Sequence, residues 1–281
     1  MKAIQITTED NYKLHAHLFE PRKDKGKFLI INSATGVKQQ LYFGIAQYLS
    51  QHGIRVITYD YRGIGLSKPH SIKGFSATMR DWGTKDYAAV ANFMLNEYSH
   101  EESHLMGHSV GALILGMHEV SKKFEDFIFI ATQNPYYPYL DYKTRLFAML
   151  GFGLLEPVVS RTLGYFPGHW FGLGETLPKG CSHDWRSLIM KASSTDFLLQ
   201  KLSYSVAKEL TQSVLFLQPK DDTWISDKGI QSLMTDTYPK MTYQLKMLDP
   251  KDSQKNEIGH VNFFRRYNSN LWKIVLERIL R

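Results

Sequence analysis

The sequence predicts an α/β fold: a mostly parallel central sheet, helices on both faces, and a largely helical insertion. Three observations predict it. Short continuous apolar runs alternate with apolar stripes at helical spacing, an early segment alternates residue by residue, and between residues 135 and 207 the rhythm stops.

Tyr12-Lys13-Leu14-His15-Ala16-His17-Leu18-Phe19 alternates apolar and polar with period two, the pattern of a half-buried strand. Its partner is Ala3 to Thr8, in an antiparallel hairpin at one sheet edge. His15 and His17 fall on the polar face of that alternation and read as surface residues. Phe28-Leu29-Ile30-Ile31 is a continuous apolar run, as expected of a parallel strand buried on both faces. Leu41, Tyr42, Ile45, Tyr48 and Leu49 then recur at helical spacing. Ile54 to Tyr59 is the next strand, Tyr87, Val90, Ala91 and Met94 the next helical stripe, and His104-Leu105-Met106 the strand after it. Leu113, Ile114 and Met117 lie on a further helix, and Phe127-Ile128-Phe129-Ile130 is another buried strand. Repeated strand–helix alternation means βαβ units and a parallel sheet.

Residues 135–207 are rich in aromatics, Gly and Pro, show no clear strand, and read as a largely helical insertion. The sheet resumes with Val214 to Leu217. An edge strand follows, alternating Tyr243, Leu245 and Met247 against Thr242, Gln244 and Lys246. The closing helix carries Phe264, Tyr267, Leu271, Ile274 and Val275 on one side. The expected division is a core of residues 1–134 and 208–281 with an insertion of residues 135–207.

Bulk properties narrow the function. The chain has 281 residues, 43% of them hydrophobic, enough for one large core. A formal charge of +7 invites a nucleic-acid reading, but the 34 Lys and Arg residues are scattered and form no basic stripe or motif. No nucleic-acid partner is expected; weak attraction to anionic surfaces or substrates stays open. Cys181 is the single cysteine, so an internal disulfide, a Cys-based metal site and a redox pair are excluded. Met1 to Gln5 enters an alternating segment directly, without a signal-peptide apolar region. The longest apolar run, Leu146 to Leu155, is interrupted only by glycines and stops at Glu156-Pro157. It is too short for the roughly 20 residues a membrane span needs. Its glycines and Pro157 favour a buried cap helix over association with a lipid surface. The expectation is a cytoplasmic protein with no stable membrane insertion.

Gly107-His108-Ser109-Val110-Gly111 matches G-x-S-x-G. A chain this long contains that pattern by chance about one time in ten, so the context decides. It directly follows an apolar strand and precedes an apolar helix, as a nucleophile elbow requires. The turn strains Ser109, and side chains at 107 and 111 would clash with the neighbouring strand and helix. The Val110 N–H, opening the new helix, is placed to stabilise an oxyanion. The competing reading, a Gly-rich turn whose serine only caps the helix, is weakened by the partners that follow.

A serine hydroxyl needs an adjacent base to act as a nucleophile at neutral pH. His260, in Gly259-His260-Val261-Asn262-Phe263-Phe264, lies in a loop before the final helix and comes last in the chain order Ser, Asp, His. His108 sits inside the elbow but points along the strand axis, and His183 lies in the insertion; neither is placed for base work. The acid belongs after the strand Val214 to Leu217, where Asp221 and Asp222 are both candidates. Asp222 is preferred for its spacing to Ile225, with Asp221 in reserve. It would orient His260 and stabilise its charged form.

Together with Tyr59-Asp60-Tyr61-Arg62-Gly63-Ile64-Gly65-Leu66-Ser67, these residues resemble the α/β-hydrolase superfamily over essentially the whole chain. The last segment is similar to the D-x-R-G-x-G-x-S turn of many members, where its role is structural. The nearest resemblance is to a bacterial group of α/β hydrolases of unassigned activity, which share Ala34-Thr35-Gly36-Val37 and Asp60-Tyr61-Arg62-Gly63. The resemblance implies that the insertion is a cap over the active site and sets substrate choice. Many members carry His-Gly after the third strand, where a backbone N–H completes the oxyanion hole; here the segment is Asn32-Ser33-Ala34-Thr35-Gly36. A backbone donor needs no particular side chain, so the second donor is Thr35 or Ala34.

The expected activity is hydrolysis of a small-molecule ester or related acyl compound through Ser109, His260 and Asp222, with no cofactor and no metal. Acyl transfer through the same acyl-enzyme, and a non-catalytic binding protein on this scaffold, are the alternatives.

Overall fold

A computed structural model describes all 281 residues. Eight strands form one sheet: β1 (Lys2–Thr7), β2 (Lys13–Phe19), β3 (Lys27–Asn32), β4 (Arg55–Tyr59), β5 (Glu102–His108), β6 (Asp126–Ile130) and, after a long insertion, two more. The insertion holds the short pair β7 (Tyr165–Pro167) and β8 (Thr176–Pro178). The sheet then closes with β9 (Ser213–Pro219) and β10 (Thr242–Leu248), in the spatial order β1-β2-β4-β3-β5-β6-β9-β10. β1, β2 and β4 pair antiparallel and every pair from β4 onward is parallel, so the expected hairpin lies at one edge of a parallel sheet.

β3, β5, β6 and β9 are buried along nearly their whole length, which is why they read as unbroken apolar runs. One face packs Trp82, Tyr87, Val90 and Met94 of the helical stretch 79–97. The other packs Ile45 and Leu49 of the helix Phe43–Gln51 and Val275 of the helix Trp272–Ile279. Helices cover both faces, and this is an α/β-hydrolase fold. Strand order reverses around β3, where β4 lies on one side and β5 on the other. In such sheets ligands bind beyond the carboxyl ends of the strands at this switch point. The loops after Asn32 and His108 both leave from there.

Four expectations change. The helix after Ser109 is one α-turn, Val110–Leu113, continued by a 3-10 turn, Ile114–Met117. The closing helix starts at Trp272, because Asn262–Phe264 and Arg266–Leu271 form separate 3-10 turns. The insertion is not strand-free: β7 and β8 pair antiparallel, and their three-residue length and terminal prolines left no period to detect. Finally, the apolar run in the insertion is part of one helical stretch of 22 residues, Tyr142–Leu163, and lies largely on the surface rather than buried.

Candidate active site

Ser109 follows β5 with φ 53° and ψ −120°, a strained conformation for a non-glycine residue. Neighbouring backbone holds it there. Its N–H donates to the Ile130 carbonyl at 3.0 Å, and the Thr132 hydroxyl donates to its carbonyl at 2.8 Å. A Cβ on Gly107 would lie 2.6 Å from the Ala112 backbone, and one on Gly111 would lie 2.3 Å from the Asn32 carbonyl oxygen. Real side chains do not approach that closely, so both glycines are dictated by packing.

His260 lies in the loop entering the last helical segment. Its Nδ1 is 2.7 Å from Asp222 Oδ2. The carboxylate can only accept, so Nδ1 is the protonated nitrogen and Nε2 of the neutral ring keeps its lone pair. Asp222 is buried and its other oxygen accepts the Trp224 N–H at 3.0 Å, which fixes its orientation. Asp221 does a different job: its Oδ2 accepts the Ile258 N–H at 2.9 Å and ties down the backbone two residues before His260. Of the two candidate carboxylates, Asp222 is the one that touches the imidazole.

Ser109, Val110, Thr35 and His260 line one cavity of about 650 Å³. The insertion supplies much of its wall through Leu173, Trp185, Leu188 and Ile189. The two candidate oxyanion donors separate clearly. Ala34 N–H donates to Tyr42 Oη at 2.9 Å, whereas Thr35 N–H has no partner within the chain. Val110 N–H opens its helix and so has no partner inside it. The helix is too short for much macrodipole, so these local N–H groups are what it offers an anion.

Two residues here escaped the sequence reading. His108 does not simply follow the strand axis: its fully buried ring bridges two loops, with Nδ1 2.8 Å from Tyr42 Oη and Nε2 2.8 Å from the His260 carbonyl. That carbonyl can only accept, so Nε2 carries the proton, Nδ1 accepts from Tyr42, and Tyr42 Oη accepts from Ala34. Burial, reinforced by the neighbouring His260, holds the His108 pKa well below the usual histidine value, consistent with a neutral ring. Burial likewise pushes the Tyr42 hydroxyl up, keeping it a donor. A directional chain of hydrogen bonds thus joins the loop bearing Thr35 to the loop bearing His260. Alternation along β5 separates His108 from Ser109, but nothing local marks Tyr42 as its partner.

The Asp60 turn is structural, as expected. Asp60 accepts the Gln39 N–H at 2.8 Å, Gln39 Nε2 at 3.0 Å and the Leu66 N–H at 2.9 Å. His183 bonds Ser160 Oγ at 3.1 Å within the insertion and does not line the cavity. No three His, Cys, Asp or Glu side chains group as a metal site would.

The sequence signature of the family described as serine aminopeptidase, S33, matches residues 26–227. The chain belongs to this α/β-hydrolase family. No curated protein sequence matches it significantly. Among solved structures, this S33-family chain resembles DcsB, determined in complex with its substrate analogue: TM-score 0.66, 14% identity, covering 99% of this chain and 98% of that one. An esterase of Pyrococcus furiosus superposes with a TM-score of 0.60 at 17% identity, covering 100% and 91%. An α/β serine hydrolase without a lid, from Xanthomonas campestris, gives 0.54 at 14% identity, covering 100% and 93%. At these identities the likeness is one of fold.

Proposed function

We propose that this S33-family chain hydrolyses an ester or related acyl compound with Ser109 as nucleophile, His260 as general base and Asp222 as the acid that orients it. One observation carries the reading: an imidazole held by a buried carboxylate at 2.7 Å lines the same cavity as a strained elbow serine. Ser109 Oγ attacks the acyl carbon while Nε2 of His260 takes its proton. The carbonyl oxygen becomes an oxyanion and receives the N–H groups of Val110 and Thr35. Collapse breaks the bond to the leaving alcohol, which departs with the proton from His260. Water then attacks the acyl-enzyme by the same route and releases the acid and free Ser109.

Half of the residues lining the cavity are apolar, Leu113, Trp185, Leu188 and Ile189 among them, which favours an acyl group with a substantial apolar part. The family description suggests aminopeptidase activity, which needs a free carboxylate to receive the substrate ammonium. Glu175 is the only carboxylate lining the cavity, and it is engaged by Lys38 at 3.3 Å and Lys68 at 2.7 Å. We therefore place acyl esters ahead of peptides. The test is turnover of short p-nitrophenyl esters together with fluorophosphonate labelling. Both are expected in the wild type and both are lost in Ser109→Ala; an unlabelled, inactive wild-type protein would overturn the proposal.

A further inference from the structure

The helical stretch Tyr142–Leu163 is built inside out. Leu146, Leu150, Leu154 and Val158 follow one another every four residues and are 47–65% exposed. Ala148, Phe152, Glu156 and Ser160 repeat with the same spacing two residues out of step, on the opposite side, and are buried. The buried stripe is the one that carries a carboxylate and a hydroxyl. Glu156 accepts the Ser182 hydroxyl at 2.8 Å, and Ser160 bonds His183 at 3.1 Å, both on the helix Lys179–Met190. These polar contacts fix the roll of the stretch, so its apolar side cannot turn inward. Phe147 and Leu155 widen the exposed strip at 47% and 40%.

Such a face needs an occupant, and charge indicates which. The exposed charged side chains of this stretch are Lys143 in its first turn and Arg161 in its last, both cationic, on a chain of net charge +7. Its one carboxylate, Glu156, is buried, and Asp141, just before it, caps the first turn. Trp170, 63% exposed in the following 3-10 turn, is the residue type enriched at membrane–water interfaces. An apolar strip flanked by cations is the pattern of a helix lying in the plane of an anionic lipid surface. Spanning is excluded in this fold, because the opposite side is fastened to the protein.

We propose that the stretch 142–163 is a docking surface for an anionic lipid bilayer. The apolar groove beside it, about 190 Å³ and lined by Phe147, Leu150, Leu155 and Phe171, shares Leu173 with the active-site cavity. Docking would bring that groove to the bilayer and let a membrane-dissolved acyl chain reach Ser109. This second step rests on the hydrolase reading; the docking does not.

The experiment is co-sedimentation with vesicles of phosphatidylcholine containing phosphatidylglycerol, at low salt. The wild type and Ser109→Ala are expected to bind equally, and more weakly at high salt. The double variant Leu146→Glu/Leu154→Glu should bind at least about tenfold more weakly while hydrolysing a soluble short ester at the wild-type rate. Lys143→Gln/Arg161→Gln should keep wild-type folding and lose several-fold in affinity along with much of the salt dependence. Absence of wild-type binding would overturn the proposal, as would equal binding by the Glu variant. So would a solution dimer that the Glu variant dissolves, since a second copy would then cover the face. A chain that docks but turns over no ester would refute the hydrolase reading and leave the docking surface standing.

Discussion

Phe127-Ile128-Phe129-Ile130 in the sheet and Leu146 to Leu155 in the insertion are both nearly unbroken apolar runs, yet the first is fully buried and the second mostly exposed. The difference is in what fixes each segment. β6 is hydrogen-bonded to neighbours on both sides, which presents both of its faces to helices. The insertion helix satisfies its own backbone and needs an anchor on only one side, where Ala148 and Phe152 join a small apolar cluster and Glu156 and Ser160 add hydrogen bonds to the helix Lys179–Met190. The chemistry follows the same division. Ser109, Thr35, His260 and Asp222 come from loops of the sheet core, Ser109 fixed through its own backbone and His260 through the Asp222 carboxylate, while the insertion contributes apolar side chains to the wall. The core should therefore govern rate and folding, and the insertion should govern choice of substrate.

The sharpest break would be a Ser109→Ala enzyme that still turns over. We expect kcat on short esters to fall by about five orders of magnitude with folding intact, checked by stopped assay and circular dichroism. Gly111→Ala comes next. The new Cβ meets a backbone oxygen that cannot move without displacing β3, so we expect about 4 kcal/mol lost in denaturant unfolding, or no folded protein.

The bonds from Ala34 through Tyr42 and His108 to His260 test whether the core holds its loops as one unit. Tyr42→Phe leaves a buried N–H and a buried imidazole nitrogen unpaired, for a loss of about 2 kcal/mol in chemical unfolding. Because Thr35 and His260 are both positioned through this chain, kcat should fall about tenfold with KM nearly unchanged, the signature of an interaction felt mainly in the transition state. His108 adds a pH dependence. The folded chain holds it neutral, whereas the unfolded chain binds a proton there below about pH 6.5. Acid therefore favours unfolding, and stability falls as pH drops below about 6.5 by up to about 1.4 kcal/mol per pH unit. His108→Gln should flatten that slope by close to one proton in unfolding curves taken at successive pH values.

The core was legible because its rules are local: period two in Tyr12 to Phe19, apolar runs in β3 and β6, and glycines at 107 and 111 that mark a turn nothing larger could make. The candidate site was legible where family-like order placed Ser109, Asp222 and His260. It was not legible where contacts are long-range, since neither Tyr42 nor the choice between Ala34 and Thr35 leaves a mark in neighbouring sequence. The insertion defeated the reading for a physical reason. Counting Leu146 to Leu155 as core assumes that apolar residues face inward, and Glu156 and Ser160 reverse that orientation through partners on another helix.

The smallest effect expected is also the one that separates the two regions best. Trp185 lines the cavity and meets Phe152 edge-on at 4.8 Å, without touching Asp222 or His260 through any hydrogen bond. Trp185→Leu keeps an apolar side chain and enlarges the space available to an acyl chain. An extra methylene in a hydrophobic pocket is worth about 1–3 kcal/mol at most, so the kcat/KM ratio of octanoyl to acetyl esters should shift by about tenfold. The rate on the acetyl ester, which reports on the core alone, should stay within about twofold of the wild type. If instead both esters slow equally, the insertion is holding the catalytic geometry and not only the wall, and the division between chemistry and selection fails.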